Sequence, residues 1–245
     1  MNHWTVRFAW MRIAVVVLWS VLALVGCSGE NTNDPVVVVD FDRDTPGQPP
    51  ATGGDGQPSG LIVRDGSSVG ILREANGITS QPVVLKVPTE NGFAGVVTRF
   101  EPVTAGVVRI EVTVAFDRFF DGLFLDTSAE TGSSPSAIVS RLIVTADGEV
   151  QDDKTRTTVG RYVPDRPLRV RMDIDMTTKS WAASIDREMN GFGDDSTVSG
   201  LPFDNPIAVL PSVGAVWGSL IVFPTASAGE TSVAYDDFRI QPLRY

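Results

Sequence analysis

LRVRMDIDMTTKSWAASID, residues 168–186, decides the fold. From 168 to 176 apolar and polar side chains alternate. Val170, Met172, Ile174 and Met176 fall on one face, and Arg169, Arg171, Asp173 and Asp175 on the other. A period of two belongs to a β-strand with one face on a core and one in water. Thr177-Thr178-Lys179 supplies a turn, and residues 180–186 return as a second strand with Trp181, Ala183 and Ile185 inward. The segment predicts a β-hairpin.

The same alternation fills residues 107–116, where Val108, Ile110, Val112, Val114 and Phe116 oppose Arg109, Glu111 and Thr113. Shorter β-branched runs at 36–41, 61–63, 69–72, 83–87, 138–145, 220–223 and 233–240 predict further strands. The runs at 61–63 and 69–72 flank Asp65-Gly66. Residues 45–60, dense in Pro and Gly, read as a long loop inside one domain. A linker there would leave the 36–41 strand with nothing to pair with. No helical period follows the N-terminal segment, and no unit repeats at a fixed spacing. Many short strands between turns specify an all-β sandwich or barrel rather than a propeller or β-helix.

At the start of the chain, Arg7 and Arg12 lead into an apolar stretch over 13–26, with small residues before Cys27. That order is a secretory signal peptide. One alternative is an uncut anchor. The stretch is shorter than the roughly 20 apolar residues of a spanning helix, although Phe8, Ala9 and Trp10 could lengthen it. Another is a plain signal peptide with a chance cysteine. Leu24-Val25-Gly26-Cys27 resembles the lipobox of bacterial lipoproteins. This resemblance implies that residues 1–26 are removed, that Cys27 carries acyl chains such as palmitate, and that a membrane holds the mature chain. Residues 27–34 then form a polar tether, and 35–245 the domain. Ser28 in place of an aspartate resembles the outer-membrane address of Gram-negative lipoproteins.

The chain has 20 Lys+Arg against 30 Asp+Glu, and the leader holds two of the bases and no acid. The remainder, 18 bases against 30 acids, carries a formal charge of −12. Nucleic acid is therefore not a partner, because phosphates need a basic footprint. Electrostatic adhesion to anionic lipid is disfavoured for the same reason. The single histidine, His3, lies in the leader, and Cys27 is the single cysteine. Without them there is no Ser-His-Asp triad, Cys-His pair or histidine general base. A zinc site of nitrogen and sulfur ligands and an internal disulfide are excluded too.

Three segments carry a second resemblance. Residues 162–175 (YVPDRPLRVRMDID) are followed by their hairpin partner 179–186 (KSWAASID), and residues 232–240 (SVAYDDFRI) place paired aspartates before an aromatic. Together they resemble the concanavalin A-like lectin/glucanase superfamily, especially its bacterial laminin-G-like members. Val39-Asp40-Phe41-Asp42 resembles the first strand of such domains, which lies near the last. The resemblance implies a two-sheet antiparallel jelly-roll sandwich over 35–245, one sheet curved and often binding carbohydrate, and frequently one structural calcium. Arg187 and Glu188 depart from it, standing where many members have a glycine after the hairpin aspartate.

Candidate site residues follow. Asp173 and Asp175 point the same way, about 6–7 Å apart, near the separation used by two-carboxylate glycosidases. They could instead contact a ligand, or simply meet water. Sugar sites also present aromatic faces. Trp217 and Tyr162 are the candidates, with Phe119, Phe120 and Phe192 near loops and Trp181 in the core. For calcium, which wants six to eight oxygen ligands, Asp40, Asp42, Asp44, Asp236 and Asp237 converge if the terminal strands are neighbours. Asp194 and Asp195 are a second candidate. The expectation is a non-enzymatic, lipid-anchored envelope protein that binds polysaccharide. The alternative is a structural or protein-interaction lipoprotein that meets an envelope protein without a sugar site, and the third reading is a glycoside hydrolase.

Overall fold

A computed structural model describes residues 37–50, 62–64, 69–87, 93–98, 103, 105–131, 134–192, 197–204, 213–222 and 230–243. All belong to the compact unit Asn33–Tyr245. The segment read as a signal peptide, Cys27, the whole 27–34 tether, Asp194 and Asp195 lie outside the described residues.

In chain order the strands are β1 (Val37–Val39), β2 (Ile62–Arg64), β3 (Val69–Ile71), β4 (Val83–Val87) and β5 (Phe93–Thr98). Then come β6 (Val107–Phe116), β7 (Gly122–Thr131), β8 (Ser134–Val144), β9 (Glu149–Asp152) and β10 (Thr158–Arg161). The last are β11 (Leu168–Asp175), β12 (Ser180–Asp186), β13 (Thr197–Pro202), β14 (Val213–Val222) and β15 (Thr231–Leu243). Sheet I runs β13-β12-β11-β6-β15-β4-β3, with β1 also paired to β15. Sheet II runs β10-β9-β8-β7-β14-β5-β2. The pairings in both sheets are antiparallel, and the fold is a two-sheet jelly-roll sandwich.

The alternating segments explain sheet I. β11 pairs with β12 from Arg169↔Asp186 to Asp175↔Ser180, and with β6 from Leu168↔Val114 to Asp175↔Val107. Register is fixed because a one-residue slip would turn every apolar side chain to water. Val108, Ile110, Val112, Val170, Met172, Ile174, Trp181 and Ile185 are buried together with Phe124, Leu142, Val144 and Val150 of sheet II. The hairpin turn places Lys179 at φ 57.

β1 pairs with β15, as the resemblance implied for the first and last strands, with Val38 opposite Arg239. β2 and β3 do not form a hairpin around Asp65-Gly66. β2 pairs with β5 in sheet II and β3 with β4 in sheet I, so the chain crosses between sheets there. Gly47 and Gln48 protect the edge of sheet I at β3: the Gly47 N–H donates to Ile71 O (2.7 Å), and the Ile71 N–H to Gln48 O (2.8 Å), while residues 51–60 lie outside the described residues.

Candidate functional site

The outer face of sheet I is a polar platform built by cross-strand register. Asp173 lies opposite Arg109, and Arg171 opposite both Glu111 and Ser184. Arg109 donates to Asp173 through Nε (2.7 Å) and Nη2 (3.0 Å), a bidentate pair. Arg171 lies 3.7 Å from Asp173 and donates to Ser184 Oγ at 3.3 Å. Arg169 approaches Glu111 at 3.7 Å.

β15 adds to this face through a bulge. Asp236 pairs with Thr113, but the next pair is Arg239↔Glu111, and Asp237 between them has φ 49. The bulge inverts the alternation. Tyr235 and Phe238 both enter the core, while Arg239 turns outward beside Glu111. A pocket of about 280 Å³ opens there, lined by Glu111, Val112, Arg169, Met189, Asp237 and Arg239.

The segment after β12 borders this pocket. The buried Asp186 carboxylate accepts N–H bonds from Asn190 (3.3 Å) and Gly191 (2.8 Å). Met189, at φ 57, and Gly191, at φ 120, supply the positive-φ geometry of this turn, while Arg187 and Glu188 stay exposed. The turn sets the half-buried Phe192 ring against the guanidiniums of Arg171 (4.4 Å to the ring centre) and Arg169 (5.3 Å).

The sequence candidates distribute unevenly over this geometry. Asp173 sits on the platform, held by Arg109. Asp175 does not join it as a reactive partner, because its Oδ1 accepts the N–H groups of Thr177 (2.8 Å) and Thr178 (3.0 Å). Burial pushes its carboxyl up, but those hydrogen bonds outweigh that and hold it below its ordinary range. Tyr162 is buried, so its ring does not meet a sugar. Its hydroxyl accepts from the Phe120 N–H (3.1 Å) and donates to Thr145 O (3.2 Å), and desolvation raises its pKa to about 12. Phe120 and Trp181 are core residues too. Trp217 lies on β14 opposite Leu125 and Val96, and its side chain is outside the described residues.

The terminal aspartates come near one another without forming a calcium shell. Asp236 is buried and accepts from the Ser80 hydroxyl and the Asp237 N–H (2.9 Å). Desolvation raises its carboxyl to about 6 against those hydrogen bonds, and the charges of Asp237 and Asp42 add to the rise. Asp40, Asp42 and Asp237 are exposed. Gln81 Nε2 donates to the Phe41 (2.6 Å) and Asp44 (2.7 Å) carbonyls, so a neutral donor occupies oxygens a cation would need. Among the described residues no three Asp, Glu, His or Cys side chains group to hold a metal. These residues do not fit the expected calcium.

Glu111, Arg239 and Met189 enter the pocket without having been singled out by sequence. The signal for Arg239 is the phase slip in 233–240, where apolar residues at 233 and 235 resume at 238 and 240.

The topology is that of a class, the two-sheet antiparallel jelly-roll sandwiches. Within it the chain is similar to a sialidase, at TM-score 0.54 and 11% identity over 85% of this chain. It is also similar to the alginate lyase AlyC3, at TM-score 0.52 and 9% identity, covering 87% of this chain and 90% of the lyase. The chain spans 18% of the sialidase's length. No family model and no curated protein matches.

Proposed function

We propose that this is a lipid-anchored cell-envelope protein whose sandwich domain binds polysaccharide without cleaving it. The observation that carries the reading is the pocket at the β15 bulge, where Glu111 and Asp237 can accept from sugar hydroxyls and Arg169 and Arg239 can donate to them. The likeness to a sialidase and an alginate lyase supports a glycan-related fold, and the fold itself is compatible with enzymes. Binding is preferred here because Asp173 is held by Arg109 and Asp175 by turn amides, leaving neither carboxyl placed as acid or nucleophile. Attachment through acylated Cys27 rests on the lipobox resemblance of residues 24–27.

The test is binding of the detergent-purified protein, expressed from the full chain, to a broad panel of immobilised polysaccharides. Saturable binding without release of reducing ends is the expected result. No binding across the panel overturns the reading.

A second reading, an interaction scaffold, is favoured by one observation. Phe119 is 49% exposed and Val163 50% exposed, and Phe119 stacks at 5.4 Å on Tyr162, the neighbour of Val163. Capture of an envelope protein that is lost on Phe119→Ser would support it.

A further inference from the structure

We infer that the pocket at the β15 bulge takes an oxyanion, a carboxylate or sulfate, on an acidic polysaccharide, with Arg239 and Arg169 as its donors. This rests on the glycan-binding reading above and narrows its ligand class.

The inference comes from unused donors. Each guanidinium carries five N–H donors in a planar fork that matches carboxylate and sulfate oxygens. Arg239 is exposed, lines the pocket and has no ion-pair partner among the described residues. Its register partner Glu111 also faces Arg169 across 3.7 Å, an ion pair beyond hydrogen-bond reach, and the Arg169 guanidinium makes no hydrogen bond among the described residues. Arg171 gives one bond to Ser184, and its Nε is buried without an acceptor. The pocket thus sets two guanidiniums against two carboxylates, Glu111 and Asp237, and leaves guanidinium N–H donors without an acceptor, in a protein whose overall charge is negative.

One of the two donors, Arg169, is also held in place. Arg169 and Arg171 stack on Phe192, which Asp186 anchors through the amides of its turn. Stacking on an aromatic face fixes a guanidinium plane while leaving its edge free to bind. Preorganisation of this kind lowers the entropy lost on binding.

The experiment compares four immobilised polymers: polygalacturonate, its carboxyl-reduced form, dextran sulfate and dextran. The proteins are wild type, Arg239→Gln, Arg169→Gln and Arg161→Gln, each purified from the full chain. Arg161 is the control, exposed on sheet II and paired with Glu149 at 3.0 Å. Binding to one or both anionic polymers is expected, weakened at least tenfold by Arg239→Gln or Arg169→Gln and unchanged by Arg161→Gln, with unaltered thermal melts. Carboxylate and sulfate are told apart by which polymer binds. Equal binding to the neutral polymers overturns the oxyanion while leaving the lectin reading intact. An equal loss in Arg161→Gln reduces the effect to bulk charge and overturns the site. Absence of binding to all four and across the broader panel overturns both.

Discussion

Arg109 and Asp173 face each other across β6 and β11 and share two parallel hydrogen bonds, at 2.7 and 3.0 Å. Both side chains keep about a quarter of their surface in water. A partly screened pair of this kind contributes about 1 kcal/mol. Asp173→Asn should therefore lower the urea unfolding free energy by about 1 kcal/mol and leave polysaccharide binding unchanged. A variant that loses a measurable hydrolytic activity would instead show Asp173 acting on substrate.

Asp236 gives the domain a pH dependence whose sign is fixed. Its folded pKa, about 6, lies above its ordinary value of 3.8. The neutral form is favoured in the fold, so the contribution to stability is full below pH 4 and is lost as pH rises through 6. The shift of roughly two units corresponds to about 3 kcal/mol at most. Asp236→Asn keeps an acceptor for the Asp237 N–H and should flatten the Tm profile between pH 4 and 6. An unchanged profile would place the titration elsewhere.

Among the described glycines with positive φ, Gly77 has the least room for a side chain. It has φ +87, and a Cβ there would lie 2.3 Å from the Asp165 carbonyl oxygen. Left-handed backbone alone costs an alanine about 1–2 kcal/mol, and the clash adds to it. Gly77→Ala should destabilise by about 3 kcal/mol or more, read by chemical denaturation. Gly47→Ala, with nothing within 4 Å of its Cβ, should lose only the φ cost.

Cys27→Ser should move the protein from the membrane fraction to the soluble or secreted fraction. Mass spectrometry of the wild-type N-terminus should show acylated Cys27. Retention of the variant in membranes would point to an uncut hydrophobic anchor.

Much of sheet I was legible in the sequence, because β11 buries every second residue along its length and β6 does so over its first six residues. Sheet II was less so. β7 reads GLFLDTSAET, and residues 122–128 are buried on both sides, so no period of two survives. Its register also slips between Leu123 and Leu125 and again between Thr127 and Ser128. Asp173 was visible as a polar-face acid, but its partner Arg109 lies 64 residues away, and only the strand order brings them together. Sequence pattern alone does not place Tyr162 in the core, because its burial depends on its hydroxyl joining the β6–β7 and β8–β9 connections. Phe192 was flagged as a loop aromatic, but its role under two arginines depends on the turn that Asp186 caps.

The pairing of β1 with β15 sets Val38 directly opposite Arg239. Under the proposed arrangement, a membrane anchor pulls on the strand beginning at Val37, and a bound polymer pulls on Arg239. The tension passes between neighbouring strands, at the point where Val39 and Phe41 enter the core. The domain then works as a mechanical coupling whose weakest link is three residue pairs long.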